Sequence, residues 1–118
     1  MIAITNLTPH PVVVLGADGQ EAAAFAPSGS IARITELVTD EPPLETATGS
    51  IPLATVTYSS VVEGLPEPSP DTAYVASRVL TGAVFRPDNV FPGGEVGNSA
   101  GQIIGCRYLA RLYPAGER

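Results

Sequence analysis

Proton-transfer chemistry in this chain would have to start from His10, its only histidine. Imidazole is the side chain whose ordinary pKa lies near neutrality, so it is the natural general base or metal ligand. His10 stands between Pro9 and Pro11, directly before an apolar run at 12–15. The same position suits a structural residue at a bend, with Asn6 or Thr8 closing local hydrogen bonds to the backbone. Both interpretations of His10 stay open from the sequence.

The other residues with chemically useful side chains each have a structural explanation. Ser77 has no second histidine and no G-x-S-x-G context to activate it, so a helix N-cap is favoured over a nucleophile. Arg86 and Asp88 have the spacing of an ion pair at a turn. Cys106 stands beside the cation of Arg107, which would lower the pKa of its thiol, but a buried apolar thiol is favoured.

Charge and cysteine content exclude several classes of function. Twelve acidic residues against six basic residues, all of them arginines, give a net charge of −6. A surface of this sign repels phosphate backbones, so we expect no binding to nucleic-acid polymers. A local arginine pocket stays compatible with it, because a guanidinium holds a phosphate or carboxylate in bidentate fashion at short range. The single cysteine excludes an internal disulfide and a multi-cysteine zinc site, and we expect neither a metal nor a cofactor.

The hydropathy pattern gives no sign of a membrane segment. No apolar stretch approaches the roughly 20 residues that cross a bilayer. The apolar start of the chain meets polar Thr5 and Asn6 at once, unlike a signal peptide. We therefore expect no membrane partner and a cytoplasmic location.

Turn signals and alternating patterns predict one mostly β domain over residues 1–113 with a single short helix. Gly16-Ala17-Asp18-Gly19 is the signal of a tight hairpin, and Ser77 is the expected N-cap of the helix. Segment 40–50 is acidic and contains two adjacent prolines, so it is predicted to be an exposed loop or a hairpin tip. A final strand is predicted at 102–112. About six strands favour a compact antiparallel barrel or sandwich, with residues 114–118 as a disordered tail.

Several short motifs together resemble a family of small proteins from tailed bacteriophages, prophages and actinobacteria. They are Asn6-Leu7-Thr8-Pro9-His10, Pro27-Ser28-Gly29 followed by Ala32-Arg33, Glu63-Gly64-Leu65-Pro66, Tyr74-Val75-Ala76-Ser77, Arg86 with Asp88, Pro92-Gly93, and Gly101-Gln102-Ile103-Ile104-Gly105-Cys106-Arg107. The resemblance covers most of the chain and leaves out residues 40–50 and the tail after Leu112. It implies a phage or prophage accessory protein in the cytoplasm of the bacterial host, and it carries no specific activity with it.

The function favoured at this point is capture of an anionic small molecule, such as a nucleotide-derived signal of bacterial immunity, by a phage protein that counters host defence. Compact phage domains that sequester such nucleotides are similar to this chain in size and solubility only, which is an analogy at the level of protein class. A pocket of this kind needs guanidinium groups for phosphates and an aromatic ring for stacking on a base. The candidate ligand-binding residues are His10, Arg33, Tyr58, Ser77, Arg86, Asp88 and Arg107.

Two alternatives belong to other classes of protein. One is a structural or protein-interaction component of a phage that uses a sheet edge. The other is a small hydrolase or lyase with His10 as general base, oriented by Asp88 or Glu63. Binding is favoured over catalysis because a single histidine would have to carry out every proton transfer. We therefore assign no catalytic residue. An open sheet also leaves two edges to protect, so we expect a homodimer or a larger closed assembly.

Overall fold

The computed structural model describes residues 1–113, apart from the side chain of Ser60, and has ten strands and one helix in that part of the chain. The prediction of a mostly β fold with one short helix is confirmed. The predicted tail, 114–118, lies outside the described residues. In chain order the elements are β1 (Ala3–Asn6), β2 (Val12–Leu15), β3 (Glu21–Phe25), β4 (Arg33–Thr46), β5 (Gly49–Glu63), β6 (Thr72–Val75), α1 (Arg78–Ala83), β7 (Asn89–Gly93), β8 (Val96–Gly97), β9 (Ile103–Gly105) and β10 (Tyr108–Ala110).

The central sheet is open and mixed, which corrects the expectation of an antiparallel barrel or sandwich. Its order is β1-β6-β7-β10, with β1/β6 and β6/β7 parallel and β7/β10 antiparallel. A parallel pair needs a crossover connection. Helix α1 makes the crossover from β6 to β7, and the whole chain between β1 and β6 makes the other one. Short-range sequence patterns contain no information about such distant pairings.

Two small cores lie on opposite sides of the central sheet, because successive residues of a strand point to opposite faces. Tyr74 and Val75 of β6 show this division, since each belongs to a different cluster of buried side chains. The first cluster receives α1 through Leu80, and the second receives the β2-β3 hairpin through Val12. The buried members are Leu7, Ala32, Tyr74, Ala76 and Leu80 in the first cluster, and Val12, Val75, Val90 and Cys106 in the second.

The two predictions that rested on local signals are confirmed. Gly19 has a φ of 78°, in the left-handed region that a tight hairpin turn requires, and β2 pairs antiparallel with β3 around it. The Oγ of Ser77 accepts a hydrogen bond from the backbone N–H of Leu80 at 3.2 Å, so Ser77 is the N-cap of α1.

The predicted strand at 102–112 is divided into β9 and β10 at Cys106 and Arg107. Cys106 instead forms two backbone hydrogen bonds with β2. Its N–H donates to the carbonyl oxygen of Val13, and its carbonyl oxygen accepts from the N–H of Leu15, both at 2.8 Å. Strand β9 then pairs with β8, whereas β10 pairs with β7 of the central sheet. The hydrogen bonds of Cys106 therefore connect the β2-β3 hairpin to the rest of the domain.

The largest departure from the prediction is a long two-stranded ribbon formed by β4 and β5, which we call the arm (residues 33–63). The strands have 14 and 15 residues, and the turn between them lies at Ala47 and Thr48. Segment 40–50, predicted as an exposed loop or a hairpin tip, contains this turn, and most of its other residues are strand. The radius of gyration is 17.6 Å, whereas a compact chain of this length would have about 13.5 Å. The arm projects from the remaining residues, which we call the body, and the prediction of a compact molecule is corrected.

Candidate functional site

A buried asparagine shapes the loop that carries His10. The Nδ2 of Asn6 donates to the carbonyl oxygens of His10 at 2.8 Å and of Phe25 at 3.0 Å, and its Oδ1 accepts from the N–H of Thr8 at 2.9 Å. The hydroxyl of Thr8 lies 2.7 Å from the same Oδ1. The loop thus holds His10 by its backbone, in the way the structural interpretation of the sequence expected, and leaves the residue exposed.

His10 and Ser77 both line a cleft of about 390 Å³, which we call the body cleft. Its walls are mostly apolar, and it contains one carboxylate, Glu95. The Oγ of Ser77 is engaged in the helix cap. Neither Asp88 nor Glu63, the carboxylates considered for orienting His10, lines the body cleft. Within residues 1–113 the imidazole has no hydrogen-bonded nucleophile or carboxylate, so no assembled base and nucleophile are present there.

Cys106, also in the wall of the body cleft, is a buried thiol. Its Sγ donates to the carbonyl oxygen of Val13 at 3.4 Å. Burial raises the pKa of the Cys106 thiol above its ordinary value, and the negative charge of Glu95 adds to this effect. A thiol with a raised pKa is protonated and unreactive at neutral pH. The prediction of a buried apolar thiol is confirmed.

Arg86 and Asp88 form the predicted ion pair, and the pair is largely buried. The Nε of Arg86 donates to Oδ1 of Asp88 at 2.9 Å, with side chains only 20% and 16% exposed. Their mutual hydrogen bonds raise the pKa of Arg86 and lower the pKa of Asp88. A further N–H of Arg86 donates to the carbonyl oxygen of Pro66 at 2.8 Å, and the guanidinium carbon lies 6.0 Å from the ring centre of Tyr74. Through these hydrogen bonds Arg86 connects the segment around Pro66 to the turn at 86–88, and its charge is neutralised by Asp88.

Arg33, Tyr58 and Ser77 line a second cleft, of about 460 Å³, where the arm leaves the body. We call it the arm-base cleft. Arg33 and Tyr58 come from the two strands of the arm, and Ser77 precedes α1. Two carboxylates, Glu36 and Glu63, line the same cleft. Three of the seven predicted ligand-binding residues therefore share one surface, in a mixed electrostatic environment.

The predicted arginines do not converge. Arg33 lies in the arm-base cleft, and Arg86 lies beside a third, smaller cleft of about 70 Å³. Arg107 is exposed and lines none of these three clefts; its backbone N–H donates to the carbonyl oxygens of Gly93 and Gly94. The structure brings together His10 with Ser77, and Arg33 with Tyr58 and Ser77, but none of these three clefts contains two of the predicted arginines.

The arm carries a surface that the sequence analysis missed. Apart from Ile34 and Val62, which pack against the first core cluster, its large apolar side chains are 40–65% exposed, because a two-stranded ribbon has no layer of its own to cover either face. They are Leu37, Val38, Leu44, Ile51, Leu53, Val56, Tyr58 and Val61. Register pairs such as Val38 with Val56 and Leu44 with Ile51 place apolar neighbours side by side on each face. An exposed apolar surface of this extent is typical of a protein interface.

The two strands of the arm differ sharply in charge. Strand β4 carries four carboxylates, whereas β5 has no charged residue between Gly49 and Val62. This uncharged run was visible in the sequence and is the signal that would have pointed to the arm. It was obscured because the acidic residues and prolines at 40–45 are also typical of a loop. The carboxylates of β4 are those of Glu36, Asp40, Glu41 and Glu45.

Comparisons with protein-family models, curated proteins and solved structures find no match to this chain. Within residues 1–113, no group of three or more His, Cys, Asp or Glu side chains is arranged to hold a metal ion. The helix in that part of the chain has six residues, far from the roughly 20 that span a bilayer. Of the described surfaces, the arm is the one whose exposed apolar area most needs an explanation.

Proposed function

We propose that the protein is a structural, protein-interaction component whose arm docks onto another protein chain. The observation that carries this proposal is the row of half-exposed apolar side chains along the ribbon, which packs against the body only at its base, through Ile34 and Val62. A two-stranded ribbon with both faces in water is marginally stable by itself. Docking onto a partner would pair a free edge and bury part of this apolar surface, so a partner would stabilise an arm of this length.

The accessible surface of the molecule is large enough for such an interface. It measures 8055 Å² for a chain of 12.1 kDa, whereas a compact monomer of this mass has roughly 6,000 Å². The excess of roughly 2,000 Å² is comparable to the total area of a specific protein–protein interface, about 1,200–2,000 Å². About half of an interface area of this size comes from each partner, so a projecting element such as the arm can supply one side of a stable contact.

The resemblance to phage and prophage proteins gives this proposal a setting, either a phage assembly or a host factor in the bacterial cytoplasm. Residues 40–50, which lie outside the resemblance, form the distal end of the arm.

Photo-cross-linking from the arm tests the docking proposal in cells that produce the protein. Benzoylphenylalanine in place of Val56 or Val61 should give covalent protein adducts of discrete mass. The control is the same substitution at Ile103 of the body, which is as exposed as these two positions and should give few adducts. The absence of adducts from both arm positions, or equal yields from Ile103, would contradict docking.

The arm-base cleft supports a second candidate function, binding of an anionic small molecule such as a nucleotide-derived immune signal. Arg33 has no carboxylate within ion-pair distance among the described residues, and Tyr58 in the same cleft offers an aromatic ring on which a base would stack. Glu36 and Glu63 weaken this candidate because they repel an anion. Arg86 no longer belongs to it, since Asp88 already holds its guanidinium.

A thermal-shift panel of nucleotides, cyclic dinucleotides and ADP-ribose derivatives tests this candidate. Saturation at about 100 times the dissociation constant should add about 2.7 kcal/mol to the free energy of unfolding. The shift should be lost in Arg33→Ala and kept in Arg107→Ala, because Arg107 lies outside the cleft. A panel without any shift would remove the small-molecule candidate and leave the docking proposal untouched.

A further inference from the structure

We propose that the partner of the arm is a second copy of this chain, joined through the outer edge of β5 to give the four-stranded antiparallel sheet β4-β5-β5-β4. This inference rests on the docking function proposed above and names its partner and its edge. The two strands of the arm form a sheet of their own, so each has one edge that no other described strand pairs with. The chemistry of the two edges decides which of them is available.

Strand β4 is protected against edge pairing, and β5 is not. Charged side chains and prolines are the usual means by which natural proteins block an open edge. Strand β4 carries four carboxylates and the adjacent prolines Pro42 and Pro43. Strand β5 has no charge from Gly49 to Val62 and one proline, Pro52, near the turn. A long uncharged edge of this kind is an aggregation hazard unless a specific partner covers it.

The lack of charge on β5 specifically favours pairing with itself. When two identical strands pair antiparallel about a two-fold axis, each segment meets the same sequence, so any charge near the axis meets its like. Strand β5 meets this condition because its side chains near the middle are uncharged. Two copies of β4 would instead bring the carboxylates of Asp40 and Glu41 against those of the partner.

The same arrangement also separates the acidic strands. In a β4-β5-β5-β4 sheet the two copies of β4 are three strand spacings apart, about 14 Å. This exceeds the Debye length of about 8 Å at physiological ionic strength, so the repulsion between the two rows of carboxylates is largely screened. Pairing through β5 is therefore the arrangement that joins two arms of a protein with a net charge of −6 at the least electrostatic cost.

The regular part of the arm defines where the two copies meet. The register is unbroken from Glu36 opposite Tyr58 to Glu41 opposite Leu53, with irregularities on both sides of this stretch. Beyond it, Pro52 lacks the N–H that a paired edge needs. We therefore place the two-fold axis within residues 53–58 of β5.

Two matched double variants distinguish the edge of β5 from the other surfaces of the arm. Val38 lies directly opposite Val56, and Thr39 lies directly opposite Thr55, so each strand has one valine and one threonine at the same position along the ribbon. Val38→Lys with Thr39→Lys and Val56→Lys with Thr55→Lys change composition, net charge and both faces identically. They differ only in the strand that carries the lysines.

Sedimentation or mass photometry should show a dimer of the wild-type chain at micromolar concentration. The β5 pair of lysines should raise its dissociation constant about tenfold or more, because it places like charges near the axis in both copies. The β4 pair should change it by no more than about twofold. Equal effects of the two pairs, or a larger effect of the β4 pair, would overturn pairing through β5. A wild-type chain that stays monomeric would overturn the second copy as partner, while arm adducts to a different protein would preserve the docking proposal.

A cysteine scan gives a readout that does not depend on weakening the dimer. Single cysteines at positions 53–57 should form disulfide-linked dimers with a maximum at the residue closest to the axis, because a disulfide needs Cβ atoms about 3.5–4.5 Å apart. Val38→Cys and Thr39→Cys are the matched controls and should form none. The buried Cys106 does not interfere, since its thiol is inaccessible. A flat profile, or cross-links from the β4 controls, would contradict the proposed edge.

Discussion

The body and the arm differ in how far they bury their apolar side chains. In the body, Leu80 is fully buried and the side chain of Asn6 uses both its donor and its acceptor atoms. In the arm, equally apolar residues such as Leu53 and Val56 stay half-exposed on a ribbon without a covering layer. The body is thus stable through its own contacts, whereas the arm depends on a partner for its stability. Substitutions that are chemically alike should therefore have different effects in the two regions.

The largest contrast is expected between two leucine truncations. Leu80→Ala removes a fully buried side chain and should lower the free energy of unfolding by about 3 kcal/mol. Leu53→Ala removes the same atoms from a side chain that is 40% exposed on the arm. It should cost the isolated monomer about 0.5 kcal/mol. Urea unfolding at a concentration where the protein is monomeric measures both values.

Similar costs for the two truncations would contradict the comparison, because they would mean that the arm packs as tightly as the body. The β5 lysine variant provides a monomeric background in which Leu53→Ala acts on the arm alone.

A smaller contrast is expected between two polar truncations. Asn6→Ala leaves the carbonyl oxygens of His10 and Phe25 and the N–H of Thr8 without their partner in and near the core. It should cost about 2 kcal/mol. Ser50→Ala removes a hydrogen bond of 2.6 Å to Oε1 of Glu45 on the exposed arm. It should cost at most about 0.5 kcal/mol, since water replaces the lost partner. Thermal unfolding of both variants, with circular dichroism as a check of the fold, gives the ranking, and a reversed order would refute it.

The ion pair of the body should give a pH-dependent effect that the arm lacks. The guanidinium of Arg86 holds the pKa of Asp88 below its ordinary value of 3.8. Asp88→Asn should therefore cost about 1–2 kcal/mol at neutral pH. A lowered folded-state pKa gives stability that is complete above the unfolded value and is lost as the pH falls through the folded value. The stabilities of the wild type and Asp88→Asn should thus converge as the pH falls below the ordinary value of 3.8 and through the lowered pKa of Asp88, and a constant difference would contradict the role of the carboxylate charge.

Features that depend on a few adjacent residues could be predicted from the sequence, whereas pairings between distant segments could not. The hairpin at Asp18-Gly19 and the cap at Ser77 were predictable because each depends on a few adjacent residues. The parallel pairing of β1 with β6 was not, since the partners are far apart in the chain. In segment 40–50 the sequence left a loop and a hairpin tip open, because prolines such as Pro42 and Pro43 are rare in sheets. Both prolines are tolerated here on an edge strand at an irregularity.

In the candidate site, too, local pairs could be predicted from the sequence and distant ones could not. The ion pair of Arg86 with Asp88 was predictable from its spacing, and it is the pairing that removes Arg86 from the expected anion pocket. Whether Arg33 and Arg107 meet depends on the packing of separate elements, about which sequence spacing contains no information. The uncharged run of β5 was present in the sequence, but its meaning depends on its lying at an open edge.

Hydrogen exchange of the full chain, followed by mass spectrometry at nanomolar and at high micromolar concentration, tests the dependence of the arm on a partner most directly. At nanomolar concentration we expect the amides of 36–41 and 53–58 to exchange at least about tenfold faster than those of β6 and β7, because a lone ribbon opens easily. At high concentration the amides of 53–58 should gain protection as the edge of β5 becomes paired. An arm that is as protected as the body in the dilute monomer would contradict the account, since it would then need no partner.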